Sequence, residues 1–218
     1  MNEPLYAVYG ASGFGREVLP LGRESLARAG IALDRLVFID DEPPMPQVNG
    51  HRVLTWQAFL DEPAGARFVS LAIASGAIRE KLSNRLRDCG VSPWDIRAGN
   101  MVQLDDVAMG EGAILCAFVT LTSNIRIGRQ FHANIYSYVA HDCVIGDFVT
   151  FAPGVMCNGN VVVEDHAYIG TGAILRQGKP GQPLRIGRGA VVGMGAVVTK
   201  DVAAGVTVVG NPARPLLK

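Results

Sequence analysis

An apolar or small residue returns at every sixth position through most of the second half of the chain. The period runs from Met109 to Leu175 without a change of register, and two series four residues apart share it. The first series is Met109, Leu115, Leu121, Ile127, Ala133, Val139, Ile145, Phe151, Cys157, Val163, Ile169 and Leu175, and the second is Ala113, Val119, Ile125, Phe131, Ser137, Cys143, Val149, Val155, Val161, Ala167 and Ala173.

A strict period of six fits neither an α-helix, which repeats about every 3.6 residues, nor an ordinary strand, which alternates about every two. It is typical of a parallel β-helix, in which short strands and turns repeat along a solenoid and bury both series in one core. The period breaks after Leu175 and resumes at Ile186. Residues 177–184 contain two Gly and two Pro, so we expect them to form a loop outside the coil.

Charge and composition argue against several classes of function. The chain has 218 residues, with 20 basic and 20 acidic side chains, so no basic surface indicates nucleic acid as a partner. The sequence contains no apolar run long enough for membrane insertion and no leader pattern, so we expect a cytoplasmic protein. Its four cysteines show no C-x-x-C spacing, which predicts reduced thiols and no metal site.

The beginning of the chain follows a different pattern. An apolar strand over residues 5–9 precedes the stretch Gly10-Ala-Ser-Gly-Phe-Gly15, and a helix is predicted over residues 14–29. A strand, a glycine-rich turn and a helix N-terminus together favour phosphate binding, to which Arg16 can add a positive charge. The spacing G-x-x-G-x-G departs from the dinucleotide fingerprint, so a tight turn without a ligand is the alternative.

The rest of this region predicts a small parallel α/β unit. A strand over residues 36–39 ends at Asp40 and Asp41, whose carboxylates suit hydrogen bonds from a ribose or a base. A helix over 55–60, a strand over 67–73 and a helix over 77–89 follow. Three or four strands are too few for a full dinucleotide-binding sheet, which favours a mononucleotide half-site and makes NAD chemistry unattractive.

One histidine stands out as a candidate base. His141 is third in its six-residue unit, on the outer surface of the predicted solenoid, and Asp142 follows it. An adjacent carboxylate can hold an imidazole in one tautomer and raise its basicity. For His51, His132 and His166 we expect solvated surface positions.

Five stretches together resemble one enzyme family. They are Tyr9-Gly-Ala-Ser-Gly-Phe-Gly-Arg-Glu-Val18, Phe38-Ile-Asp-Asp41, Ala140-His-Asp-Cys-Val-Ile-Gly-Asp147, Ala152-Pro-Gly154 and Val209-Gly-Asn-Pro-Ala-Arg214. The chain is similar to the two-domain hexapeptide-repeat sugar acyltransferases, which include perosamine- and bacillosamine-type N-acetyltransferases and relatives of sialic acid O-acetyltransferase. The resemblance implies a Rossmann-like α/β domain over residues 1–95 that binds a nucleotide sugar, followed by a left-handed parallel β-helix acyltransferase domain over 96–218.

The resemblance also implies a set of site residues and partners. Members of the family are homotrimers in which acetyl-CoA and a nucleotide-linked amino sugar meet between subunits, without a metal. His141 matches the general base and Asp142 its orienting acid. The substrate-binding set it implies is Gly10, Ser12, Gly13 and Gly15 near the diphosphate, Arg16 beside them, Asp40 and Asp41 at the ribose or base, and Asn134 near the reacting group of the sugar.

Three residues are expected to contact acetyl-CoA. One full coil has 18 residues, so Gly159 lies directly beneath His141, and family members use the matching amide as an oxyanion donor. Thr150 occupies the place where many relatives carry a second histidine, nine residues after the first. Thr171 stands near the path of the pantetheine arm.

The resemblance thus predicts an N-acetyltransferase for polysaccharide biosynthesis. Its substrate is expected to be the 4-amino group of a nucleotide-linked 4-amino-4,6-dideoxy sugar, with GDP-perosamine preferred over UDP- and dTDP-linked sugars, and the transfer is direct. An O-acetyltransferase acting on a sialic acid or another sugar hydroxyl is the main alternative. A non-enzymatic nucleotide-binding scaffold and an NAD-dependent oxidoreductase are further alternatives.

Overall fold

A computed structural model describes residues 3–43 and 45–216 of the chain. The predicted domain ranges therefore begin and end on residues outside the described part, at Met1 and Lys218. Within the described part, no helix combines the length and the apolar character that crossing a membrane requires.

The first part of the chain alternates strands and helices around one sheet. Its strands are β1 (Leu5–Tyr9), β2 (Leu36–Ile39), β3 (Gln47–Val48), β4 (His51–Leu54), β5 (Arg67–Leu71) and β6 (Ser92–Pro93). Its helices are α1 (Gly13–Arg28), α2 (Trp56–Asp61) and α3 (Gly76–Asp88), with a short 3-10 turn at Leu33–Arg35. Thr55 and Ser75 cap α2 and α3, because each side chain accepts a hydrogen bond from a backbone N–H three residues later.

The strand order places a crevice above β1 and β5. The order is β3-β4-β2-β1-β5-β6, and every pair is parallel except β3 with β4. The connection after β1 leads to β2 on one side, whereas the connection after β5 leads to β6 on the opposite side. The two connections therefore diverge between the neighbouring strands β1 and β5. In sheets of this kind, ligands bind at such a point, beyond the carboxyl ends of the strands.

The second part is a three-sided solenoid of short parallel strands. Its first sheet contains Ile96–Arg97, Ile114–Leu115, His132–Ala133, Thr150–Phe151, Tyr168–Ile169, Val191–Val192 and Thr207–Val209, closed by antiparallel Arg214–Pro215. The second contains Val102–Gln103, Thr120–Leu121, Tyr138–Val139, Met156–Cys157, Ile174–Leu175 and Val197–Val198, and the third contains Val107–Met109, Ile125–Ile127, Val144–Ile145, Val161–Val163 and Leu184–Ile186.

Each corner of the solenoid turns through a residue with left-handed backbone. From Asp106 to Gly172 such a residue occurs at every sixth position, with φ between 54° and 77°. Side chains other than glycine rarely adopt this conformation, so its regular return shows that coil stacking imposes it. These residues are Asp106, Gly112, Phe118, Asn124, Gln130, Tyr136, Asp142, Phe148, Gly154, Asn160, His166 and Gly172.

The predicted six-residue pattern is confirmed by burial. Both series are at most 6% exposed from Ala113 to Leu175 and form one core along the solenoid. The polar member, Ser137, is satisfied because its hydroxyl donates to the Ala152 carbonyl and accepts from the Val155 N–H. The loop expected at 177–184 leaves the coil through a tight turn bridged by Lys179 and Gln182, although Leu184 already belongs to the third sheet.

A buried arginine joins the two parts. Arg79 of α3 is 0% exposed, and its guanidinium donates to the Ile73 and Ala74 carbonyls at 2.7 and 2.9 Å. It also donates to Thr150 Oγ1 at 2.9 Å and to the Phe148 carbonyl at 2.6 Å in the solenoid. Burial without a carboxylate partner lowers the pKa of Arg79 to about 9. No pattern in the sequence indicates this contact.

Two expectations were wrong. The sheet of the first part has six strands rather than three or four, because the hairpin of β3 and β4 and the two-residue edge strand β6 are too short to give a pattern. His132 is fully buried rather than solvated, and its ring lies 5.4 Å from that of Phe14. Burial lowers the pKa of His132 well below its usual range, so the ring is neutral.

Replacing Arg79 with methionine tests this junction. Arg79→Met keeps the length of the side chain but leaves buried carbonyls on both sides without a donor. We expect the free energy of unfolding to fall by at least about 2 kcal/mol. Arg87→Met, on the exposed side of the same helix, is the matched control and should change it by less than about 0.5 kcal/mol. Equal stability of the two variants in denaturant titrations would contradict the proposed contact.

Candidate active site

His141 and Asp142 form a pair at the corner between the second and third sheets. Asp142 is the left-handed corner residue, with φ 58°, and this turn brings its carboxylate to the neighbouring ring. His141 Nδ1 lies 2.7 Å from Asp142 Oδ2, and both side chains are about half exposed. A carboxylate at Nδ1 favours the ring tautomer with its proton on that nitrogen, and Nε2 is then the nitrogen suited to accept a proton.

Gly159 lies one coil beneath this pair, as the 18-residue spacing predicts. A Cβ atom at Gly159 would lie 2.5 Å from both Cε1 and Nε2 of His141, so only glycine leaves room for the ring. Among the described residues, no acceptor pairs with the Gly159 N–H. This free amide therefore lies beside the imidazole edge, available to an oxygen atom of a ligand.

The peptide bond before Gly159 is held in place by three contacts. The Cys143 thiol donates to the Asn158 carbonyl at 3.2 Å. The Asn158 side chain accepts from the Tyr138 hydroxyl at 2.9 Å and donates to the Leu175 carbonyl at 2.8 Å. Because this peptide unit carries the Gly159 N–H, these contacts fix the direction of that donor.

The glycine-rich segment forms a close turn between β1 and α1. Gly10 has φ 106°, and a Cβ atom at Gly15 would collide with the Gly10 carbonyl. The first hydrogen bond of the turn joins Arg16 N–H to the Ser12 carbonyl, so the amides of residues 13–15, at the helix N-terminus, have no acceptor in the described part of the chain. Ser12, Gly13 and Arg16 are exposed beside them, and this is a suitable geometry for an anion.

The two aspartates after β2 differ in their surroundings. Asp40 accepts from the Ala11 and Glu42 backbone N–H groups, both at 3.1 Å, and so holds the turn in place. Asp41 accepts from the Tyr9 hydroxyl at 2.8 Å and from Arg85 at 3.4 Å. Burial, followed by the Asp41 hydrogen bond, raises the pKa of Tyr9.

A pocket of about 250 Å³ lies where α1 meets the first sheet of the solenoid. Its lining includes Gly13, which follows β1, and Ala74, which follows β5, so the pocket borders the crevice that the strand order indicates as a ligand site. The Asn134 amide donates to the Phe151 carbonyl at 2.8 Å, and its oxygen accepts no hydrogen bond from any residue that the structure describes. The lining residues are Gly13, Phe14, Glu17, Ala74, Asn134, Thr150, Ala152, Pro153, Tyr168 and Thr171.

The predicted site residues of the solenoid thus fall into two groups. His141, Asp142 and Gly159 meet at the corner after the second sheet, whereas Asn134, Thr150 and Thr171 line the pocket with Gly13. The Thr150 hydroxyl already bonds Arg79 and the Ala74 carbonyl, so it belongs to the pocket wall rather than to the surroundings of Gly159. Within one chain, the second sheet separates the two groups.

Sequence reasoning missed three residues around these groups. Arg79 supports Thr150, Glu17 lines the pocket, and Arg85 stacks on the Trp56 ring at 4.6 Å beside Asp41. All three lie on helices whose sequence pattern does not show which tertiary neighbours they have. The described residues contain no group of three or more His, Cys, Asp or Glu side chains suited to a metal ion.

Comparisons with known proteins extend over nearly the whole chain. No family model matches it. GDP-perosamine N-acetyltransferase of Escherichia coli O157:H7 is 50% identical over 212 residues, which cover 97% of this chain and 96% of that protein. The structure of WeeI from Acinetobacter baumannii AYE is 57% identical, with a TM-score of 0.95 over 98% of this chain and 100% of that one.

A third relative has been solved with its ligands. PerB from Caulobacter crescentus, in complex with CoA and GDP-perosamine, is 28% identical, with a TM-score of 0.83 over 97% of both chains. The fold class expected from the sequence, a small Rossmann-like α/β unit and a left-handed parallel β-helix, is confirmed. The chain therefore belongs to the family of GDP-perosamine N-acetyltransferase, the two-domain sugar acyltransferases built on hexapeptide repeats.

Proposed function

We propose that this protein transfers the acetyl group of acetyl-CoA to the 4-amino group of GDP-perosamine. The observation that carries the proposal is the His141–Asp142 pair at 2.7 Å above the free Gly159 amide, in a chain 50% identical to GDP-perosamine N-acetyltransferase over almost its full length. Residues 1–95 bind the nucleotide sugar, and residues 96–218 carry the acetyl transfer. The product is a building block for a polysaccharide.

The transfer needs a base and no covalent enzyme intermediate. The neutral amine nitrogen attacks the thioester carbonyl, and His141 Nε2 accepts the proton that the nitrogen loses. Asp142 keeps the other ring nitrogen protonated and stabilises the imidazolium that forms. The carbon–sulfur bond then breaks, and His141 returns the proton to the CoA thiolate, which leaves as the thiol.

Gly159 supplies the second component of the reaction. Negative charge develops on the thioester oxygen during attack, and a fixed N–H donor stabilises it. The Asn158–Gly159 peptide cannot turn freely, because Tyr138 and Cys143 hold it. A donor that is already oriented needs no reorganisation when the charge appears.

The nucleotide sugar is assigned to the crevice of the first part. The free amides at the start of α1, with Ser12 and Arg16, suit the diphosphate. Asp41, with Tyr9 and Arg85, forms a polar cluster at the neighbouring strand end for the ribose or base. The sugar then extends into the pocket beside Asn134.

A homotrimer completes this arrangement. Exposed apolar side chains follow the second sheet and the corner before it, and the Phe118 and Tyr136 rings stack at 4.9 Å there. Packing this stripe against a second copy buries it and brings the pocket of one copy towards His141 of the next. The stripe consists of Val102, Leu104, Phe118, Ile135, Tyr136 and Met156.

We assign the enzyme to the cytoplasm, where acetyl-CoA and nucleotide sugars are made.

The proposed activity is tested by thiol release from acetyl-CoA. GDP-, UDP- and dTDP-linked 4-amino-4,6-dideoxy sugars serve as acceptors, and mass spectrometry identifies the product. We expect one acetyl group on the amine of GDP-perosamine. Acetylation of a hydroxyl acceptor alone would identify an O-acetyltransferase, and no thiol release with any acceptor would refute the proposed activity.

His141→Ala is expected to lower kcat by about 10²- to 10⁴-fold, because the amine loses its proton acceptor. The affinity for GDP-perosamine, measured by calorimetry, should stay nearly unchanged. The H141N and H141A mutants of the Caulobacter crescentus enzyme have been solved in complex with CoA and GDP-perosamine. His51→Ala, in the first part of the chain, is the control and should retain turnover. Near-native kcat in His141→Ala would remove this residue from the role of base.

Gly159→Ala is expected to lower kcat by about 10²-fold. The added Cβ atom would lie 2.5 Å from the imidazole, so the ring must swing away from its position over the coil. The ring is half exposed and free to move, so the melting temperature should change little. Unchanged turnover in this variant would show that the position of the ring over Gly159 is not needed.

A further inference from the structure

The pocket beside α1 is lined by a single side chain with a full charge, that of Glu17. Glu17 lies one helical turn beyond Gly13, on the same face of α1. Glu17 is exposed, and among the described residues no hydrogen bond or ion pair engages its carboxylate. The pocket therefore contains an unpaired negative charge close to the segment assigned to the diphosphate.

Glu17 lies close to the solenoid, because it lines the pocket together with residues of the first sheet. Burial, followed by the charge of Glu17, raises the pKa of the Cys116 thiol to about 12, and Cys116 is buried at the end of a strand of the first sheet. Arg79 lies behind Thr150 in the opposite wall, but its bonds go to carbonyls and to that hydroxyl. No described cation thus neutralises Glu17.

An unpaired carboxylate at this place is unfavourable for a nucleotide diphosphate alone. Like charges repel, so the negative diphosphate loses affinity unless the ligand carries a positive charge near Glu17. A 4-amino sugar carries that charge, since a primary aliphatic amine is protonated at neutral pH. The corresponding 4-hydroxy sugar has none.

We propose that Glu17 selects the amino sugar by accepting a hydrogen bond from the ammonium form of its 4-amino group. This inference rests on the proposed function and deepens it, because it explains why an amine rather than a hydroxyl is the acceptor. A charge-assisted hydrogen bond is stronger than a neutral one, and selectivity is the difference between the affinities for the two ligands.

The ammonium group loses two protons in the course of the reaction. The ammonium group first loses one proton to water, which leaves the neutral amine that attacks the thioester. The second proton leaves during attack and goes to His141, as described above. The product is an uncharged amide, which no longer pairs with Glu17, so the same residue favours release of the product.

Binding of paired ligands to matched variants tests the proposal. The enzyme, Glu17→Gln and Glu24→Gln are each titrated by calorimetry, in the presence of CoA, with GDP-perosamine and with GDP-rhamnose, which has a hydroxyl at position 4. Glu24 lies on the same helix, is exposed and pairs with Arg28 at 3.1 Å, so its variant is the control.

We expect the enzyme and Glu24→Gln to bind the amino sugar at least about tenfold more tightly than the hydroxy sugar. In Glu17→Gln this preference should fall to within about twofold, through weaker binding of GDP-perosamine. The KM for GDP-perosamine should rise more than kcat falls, and the KM for acetyl-CoA should stay unchanged.

Two results would contradict the proposed role of Glu17 without contradicting the proposed function. One is an unchanged preference in Glu17→Gln, and the other is an equal loss of affinity for both sugars, which would indicate a structural role. Either result leaves the proposed function intact if the unmodified enzyme acetylates GDP-perosamine. An unmodified enzyme that acetylates no 4-amino sugar would refute the proposed function and this inference together.

Discussion

The left-handed corner that returns every six residues is the constraint on which the structure depends. Three such corners close each coil, so before the loop at 177–184 a strand residue lies directly over the one 18 positions later. The backbone pairs with the next coil, and the two apolar series have only the interior to occupy. Isolated left-handed residues with side chains are costly, but here each is held by the coils above and below.

The same register builds the reactive corner. Asp142 occupies a left-handed position, which brings its carboxylate onto His141, and one coil beneath there is no side chain at Gly159. The proposed base and the proposed amide donor are therefore positioned by backbone stacking rather than by flexible loops. Sites on rigid elements hold catalytic geometry better than sites on loops.

The features that could be predicted from the sequence are those that depend on residues near one another in the chain. The six-residue period gave the core and the solenoid, and the glycine-rich segment gave the first turn of α1. The His141–Asp142 contact and the place of Gly159 followed from adjacency and from the length of a coil. Contacts between distant parts of the chain could not be predicted from such patterns. Arg79 contacts Thr150, which is 71 positions away, and no pattern in either segment indicates this contact. The same reason explains why the burial of His132 and the place of Glu17 were missed.

The pocket proposed for the sugar and His141 lie on opposite sides of the second sheet within one chain. We therefore propose that each site combines two copies. Mixed trimers test this most directly. Gly13→Phe places a ring at the lining of the pocket, where nothing lies within 4 Å of a Cβ, and His141→Ala removes the proposed base. Each variant alone should be inactive. Trimers refolded from an equal mixture should regain about a quarter of the activity, because random assembly pairs an intact pocket with an intact histidine at about one interface in four. Mixed trimers without any activity would show instead that each site lies within one chain.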